Sequence, residues 1–233
     1  MPKIVGILGG MGPLSTVELM RRVIEKTRVE KDQDHIRMLV DNRPEIPDRT
    51  EFILGKGPSP VPMLRKSAQL LEKWGANFLA IPCNSAHVFI NQIREAINIP
   101  VLDMIDLVRL ELEKRHSPGA SIGLLATTGT IHSKLYHNYL KPFSIITPKP
   151  EIQEKLVMSA IYSEGGFKTA GASQNSLIKL LKAIDTMNPF QPQIIIAGCT
   201  EVELLLKNPP VEMRIFYPLD ILAEEIVRLA DKR

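Results

Sequence analysis

Apolar residues along this chain follow two rhythms. Short unbroken runs rich in Ile, Leu and Val alternate with longer stretches whose apolar positions recur every three or four residues. The first rhythm predicts buried strands and the second amphipathic helices. Strands are expected at Lys3–Leu8, Arg37–Asp41, Phe78–Ile81, Pro100–Asp103, Ser121–Ala126, Ser144–Thr147, Gln193–Ala197 and Arg214–Tyr217. Helices are expected near Leu14–Thr27, Pro62–Trp74, Ser85–Ile97, Asp106–Arg115, Ile131–Leu140, Glu151–Ser163, Ser173–Met187, Glu201–Leu206 and Asp220–Asp231. Such alternation predicts βαβ units around mainly parallel sheets, an α/β fold. Ser15 with Glu18 reads as a capping box on the first helix, and Gly75 as a left-handed stop on the second.

Parts of this pattern occur twice. Phe78-Leu79-Ala80-Ile81-Pro82-Cys83-Asn84-Ser85 and Ile194-Ile195-Ile196-Ala197-Gly198-Cys199-Thr200-Glu201 each carry an apolar run, a small or kinking residue, a cysteine and a polar helix start. The two cysteines are 116 positions apart (199 − 83). Gly6 and Gly123, in matching runs, are 117 apart (123 − 6), and Asp106 and Asp220 are 114 apart (220 − 106). Three colinear matches at nearly one spacing predict two similar lobes. The first takes residues 1–104 and the second 105–218, with a C-terminal helix over 219–233 packed back on the first. In open α/β sheets ligands bind at the carboxyl ends of strands. Both cysteines and both Gly- or Thr-rich turns fall there, so one cleft between the lobes is expected to gather them.

Composition narrows the partners. The 233 residues are 44% hydrophobic and 24% charged, as in ordinary globular proteins, with a net charge of only +3. That charge is too small and too dispersed to argue for nucleic acid or an anionic membrane. No apolar run approaches the roughly 18 residues of a membrane span. Strand-like sequence begins at once, which predicts no signal peptide. Two cysteines without an export signal predict reduced thiols and a cytoplasmic, soluble protein.

The chemistry-bearing residues follow from the turns. Cysteines at helix amino termini, Cys83 and Cys199, are expected to have their thiolates favoured by the helix dipole, which suits acid–base work. Gly9-Gly10-Met11-Gly12-Pro13 lacks the Gly-Lys-Ser/Thr of a phosphate-binding loop, so conformation and anion binding both remain open for it. Thr127-Thr128-Gly129-Thr130 offers hydroxyls and amides for a carboxylate or phosphate, or simple caps. Two prolines stiffen the loop around Asp48 and Arg49. Lys168 lies beside Gly165-Gly166 on what reads as a mobile loop. His87 reads as a packing residue, and the histidines and cysteines show no metal-ligand spacing.

Five motifs in order, Gly6-Ile7-Leu8-Gly9-Gly10-Met11-Gly12-Pro13, Pro47-Asp48-Arg49-Thr50, Pro82-Cys83-Asn84-Ser85-Ala86-His87, Leu125-Ala126-Thr127-Thr128-Gly129-Thr130 and Ala197-Gly198-Cys199-Thr200-Glu201, resemble the cofactor-independent aspartate/glutamate racemase family over nearly the whole chain. The resemblance implies two flavodoxin-like lobes related by pseudo-twofold symmetry, a homodimer, no cofactor, and paired catalytic cysteines, Cys83 and Cys199, on either side of a substrate Cα. Arg49 and Lys168 would hold carboxylates of a small acidic amino acid. Met11, Asn84, Ser85, Thr127, Thr128, Thr130 and Thr200 would form the polar cradle, with Asp48 and Glu201 as possible assisting groups. Ser85 stands where the family usually has threonine. Glu201 stands where glutamate racemases typically carry histidine, which favours the aspartate branch. A racemase or isomerase of another small carboxylate such as glutamate, and a non-catalytic anion- or nucleotide-binding module, are the remaining readings.

Overall fold

In this computed structural model, which describes residues 3–207 and 214–230, the chain divides into two compact units. One takes Met1–Leu107 with Leu219–Arg233, the other Val108–Pro218.

The first unit runs β1 (Val5–Gly9), α1 (Pro13–Lys26), β2 (Met38–Asn42), α2 (Arg49–Ile53), α3 (Val61–Lys73), β3 (Phe78–Ala80), a 3-10 turn at Ser85–Phe89, α4 (Ile90–Arg94) and the start of α5 (Met104–Arg115). Its sheet has the order β2-β1-β3, all parallel. Period-two alternation sorts the strand residues onto two faces. Val5, Ile7, Phe78 and Ala80 share a cluster with Leu19 and Val23 of α1. Leu8, Leu79 and Ile81 instead meet Leu64, Ala68 and Leu71 of α3. The final helix, numbered α13 below (Pro218–Ala230), adds Leu219, Leu222, Ala223, Ile226 and Ala230 to the first cluster, a helical i, i+3, i+4, i+7 stripe. Helices thus cover both faces, which is why β1 and β3 are buried throughout.

The second unit continues with β4 (Ser121–Ala126), α6 (Thr128–His132), α7 (Leu135–Tyr139), β5 (Ser144–Ile146), α8 (Pro150–Ile152), a π-helical segment at Gln153–Met158 and α9 (Ser159–Tyr162). After these come α10 (Phe167–Ala170), α11 (Gln174–Asp185), β6 (Ile194–Gly198), α12 (Thr200–Leu205) and β7 (Ile215–Phe216), before α13. Its parallel sheet has the order β5-β4-β6-β7. Leu125, Ile195 and Ala197 pack on Val157, Ile161, Leu180 and Ile184.

The repeat seen in the sequence reappears in the strand order, because β2-β1-β3 matches β5-β4-β6. It also reappears atom by atom. A Cβ on Gly6 would lie 2.5 Å from Leu79 Cδ2, and one on Gly123 would lie 2.4 Å from Ile195 Cδ1. In each sheet a central-strand glycine makes room for the branched side chain of its neighbour on the cysteine-bearing strand.

Several expectations need correction. Pro100–Asp103 forms no ladder, only a single bridge between Leu79 and Val101. Ser85–Ile97 is broken into a 3-10 turn and a short α-helix, and Glu151–Ser163 contains the π segment. Ser15 does not cap α1: Gly12 is the N-cap with Pro13 behind it, and Glu18 bonds Arg21 and Arg22 instead. Gly75 does follow α3 with φ +98°. The expected end of the last helix at Asp231 lies outside the described residues.

Candidate active site

Because every described strand pairing is parallel, each sheet has one carboxyl edge, and chemistry collects along it. In the first unit, the glycine turn after β1 and the Cys83 turn after β3 leave adjacent strands. Gly10 has φ +93°, and a Cβ there would meet the Arg43 backbone at 2.3 Å. Its N–H donates to Thr16 Oγ1 at 2.9 Å. Conformation and close approach therefore account for glycine here.

Cys83 is buried, one residue before the Asn84 N-cap of a 3-10 turn. Its Sγ lies 3.5 Å from Ser85 Oγ. Beneath it, His87 is fixed by two main-chain groups. Nε2 accepts from the Met104 N–H at 3.1 Å, so Nδ1 carries the hydrogen and donates to the Cys83 carbonyl at 2.9 Å. Burial lowers the His87 pKa and keeps the ring neutral. His87 packs, as its sequence setting suggested, yet it also holds the backbone of Cys83.

Arg49 is the first residue of α2 and is buried, 5% exposed, so the proline-bounded loop ends where its side chain begins to pack. Its Nη1 donates to the carbonyls of Ile46 (3.2 Å) and Pro47 (3.0 Å), and its Nη2 to that of Met11 (3.3 Å). The guanidinium thus ties its own loop to the glycine turn. Asp48 is the N-cap of α2, with Oδ1 accepting from the Glu51 N–H at 3.0 Å.

The second unit arranges its residues along the edge of β4 and β6. Thr127 caps α6, its Oγ1 3.0 Å from Thr130 Oγ1, and both are buried. Thr128 donates through its hydroxyl to Glu154 and through its N–H to Met158 Sδ. Gln153 donates to the Ala126 carbonyl at 2.8 Å. Neither Gln153 nor Glu154 is singled out in the sequence, and nothing local marks them, since a π-helical turn brings Gln153 to the end of β4 from 27 residues away and Glu154 to the start of α6 from 26.

Cys199 is the N-cap of α12 and buried. Its Sγ donates to Glu201 Oε2 at 3.0 Å, and Thr200 Oγ1 donates to the same oxygen at 3.1 Å. Lys168 Nζ approaches Glu201 Oε1 at 3.7 Å and lies 4.6 Å from the centre of the Tyr162 ring. Lys168 therefore belongs to the short helix α10, capped by Gly166, rather than to an open loop. The expected lowering of the Cys199 pKa is reversed. Burial first, then the charge of Glu201 and its hydrogen bond, push this thiol well up, and Lys168 opposes them only in part. A six-residue helix carries too little dipole to overcome a buried carboxylate in its first turn.

Both cysteines are free thiols. Among the described residues no cluster of His, Cys, Asp or Glu is arranged to hold a metal, and no helix is long and apolar enough to cross a membrane.

The chain matches the model of the Asp/Glu/hydantoin racemase family over residues 8–226. The chain belongs to this family, and is thereby an isomerase of the racemase type, in which Asp/Glu members work without a cofactor. It is 27% identical to the broad-specificity amino-acid racemase RacX of Bacillus subtilis (strain 168) over 96% of each chain. It resembles the structure of Picrophilus torridus aspartate racemase with a TM-score of 0.85 and 27% identity, covering 99% of this chain and 95% of that one. An aspartate racemase homologue from Pyrococcus horikoshii OT3 shares the fold at a TM-score of 0.74 and 23% identity, with full coverage of both chains.

Proposed function

We propose that the protein interconverts L- and D-aspartate by a two-thiol proton transfer. The duplicated strand–cysteine corner carries this reading: Cys83 and Cys199 end equivalent strands of two sheets with one strand order. One sulfur, as thiolate, takes the Cα proton, and the other, as thiol, returns a proton to the opposite face. The reverse reaction exchanges their roles. The Cα–H of an amino acid is a very weak acid, so the carbanionic state needs preorganised donors and cations. Thr127, Thr130, Thr200, Asn84 and Ser85 are the proposed donors. Lys168 would exchange its Glu201 partner for a substrate carboxylate. Arg49 would brace the Met11 turn and add positive charge beside it.

Support for aspartate comes from Glu201, which replaces the histidine of the glutamate branch, and from the likeness to the Picrophilus enzyme. A second reading, a racemase of broader range, is favoured by the likeness to the Bacillus subtilis enzyme. Initial rates on aspartate, glutamate and alanine separate the two. A carboxylate-directed charged bond is worth about 1.5–3 kcal/mol, so kcat/KM for aspartate should exceed that for alanine by at least about tenfold. Equal rates on alanine would sink the dicarboxylate reading and favour the broader one.

A further inference from the structure

We propose that Glu201 is a positioning residue that holds Cys199 in its proton-bearing form, making Cys199 the acid and leaving Cys83 the base in the resting enzyme. The inference rests on the two-thiol reading above and adds an asymmetry to it. The geometry is specific. The Glu201 carboxylate is buried, 4% exposed, and one oxygen receives the Cys199 S–H and the Thr200 O–H together. Its other oxygen faces the Lys168 ammonium. A carboxylate that accepts from a thiol favours the thiol over the thiolate, because ionisation would replace an S–H···O bond with two facing negative charges. Among the described residues Cys83 makes no comparable carboxylate hydrogen bond, and its sulfur neighbour is the neutral Ser85 hydroxyl.

Against this hold stand the Lys168 charge and the Glu201 backbone N–H, which both favour the thiolate, but burial and the Glu201 carboxylate outweigh them. Tyr136 on α7 is fully buried, and its own pKa is raised foremost by burial and then by Glu203 and Cys199. Glu203 on α12 is also fully buried, its N–H bonded to the Cys199 carbonyl at 2.9 Å. Lys168 on α10 is the opposing cation. A substrate carboxylate that drew Lys168 away from Glu201 would strengthen the hold on the Cys199 proton until carbanionic charge appeared at Cα. The proton then passes from Sγ to Cα, leaving a thiolate beside Glu201. That thiolate is the less stable partner, and the resting state returns only when Cys199 takes a proton from solvent and Cys83 releases the one it abstracted, or when the reverse reaction runs.

The chain has two cysteines, so isotope labelling of cysteine Cβ gives two NMR signals whose shifts report thiol and thiolate directly. The Cys83→Ala variant assigns them. Full-length wild type, Glu201→Gln and Lys168→Met are titrated in parallel. Glu201→Gln is expected to move the Cys199 midpoint down by at least about one pH unit, a tenfold change in the ionisation constant. Lys168→Met is expected to move it up. Opposite signs exclude simple loosening of the fold, which would move Cys199 the same way in both variants. The proposal is overturned if Glu201→Gln leaves the midpoint in place or raises it, or if both substitutions act in one direction. The titration requires no turnover, so a protein inactive on aspartate that still shows opposite shifts would sink the substrate reading alone.

Discussion

His87 offers a test of how the first half of the site is held, through the pH dependence of stability. The ring is buried, donates to the Cys83 carbonyl and accepts from Met104, and burial lowers its pKa from 6.5. A base with a depressed native pKa binds fewer protons folded than unfolded. Stability is therefore full above the unfolded value and falls as pH drops through it, continuing down to the native pKa. One such group changes stability by at most ~1.4 kcal/mol per pH unit, and only within the window between the unfolded pKa and the lowered native one. His87→Gln can keep a donor and an acceptor but does not titrate. The substitution should lower stability by about 1–3 kcal/mol at neutral pH through poorer geometry, and then abolish the extra loss on acidification. Urea unfolding at several pH values measures this, with fluorescence of Trp74 as the probe, since the single tryptophan lies in the same unit as His87. His137, whose pKa burial also lowers, is present in both proteins and cancels in the difference. Parallel pH profiles for wild type and variant would refute a neutral, buried His87.

The remaining predictions address the glycine turn and its brace. Arg49→Lys should cost about 2–4 kcal/mol in urea unfolding, because one ammonium cannot serve the carbonyls of Ile46, Pro47 and Met11 together. A loss below about 0.5 kcal/mol would mean that those carbonyls do not depend on the guanidinium. Gly10→Ala combines φ +93° with a Cβ 2.3 Å from the Arg43 backbone, whereas Gly75→Ala meets φ +98° in open space. The first should lose more than about 2 kcal/mol and the second only about 1 kcal/mol, and equal losses would show that the approach of Arg43 is not what requires Gly10.

The fold was legible where a residue's fate depends on its near neighbours in sequence. Continuous apolar runs such as Ile194-Ile195-Ile196 became buried parallel strands, and the spacing of Leu64, Ala68 and Leu71 became the inner face of α3. The repeated glycine and cysteine positions foreshadowed the shared strand order. Legibility failed where distant partners decide. Nothing local to Arg49 announces that the Met11 carbonyl, 38 residues earlier, will meet its guanidinium. Cys199 differs, because Glu201 is only two residues away and visible in sequence; what the sequence does not show is the burial of both and the turn of that carboxylate onto the sulfur. Val101 failed to extend a strand because only one bridge to Leu79 forms.

The central claim, that two thiols exchange the Cα proton, is tested most directly by incubating L-aspartate in deuterated water, without added cofactor, with wild type, Cys83→Ala and Cys199→Ala. Wild type should yield D-aspartate carrying solvent deuterium at Cα, because the returning proton comes from a thiol that exchanges with water. Each alanine variant should lose racemisation by at least about a hundredfold, since each removes the acid or base from one face. A variant that racemises near the wild-type rate, or D-aspartate that forms without deuterium, would contradict the account.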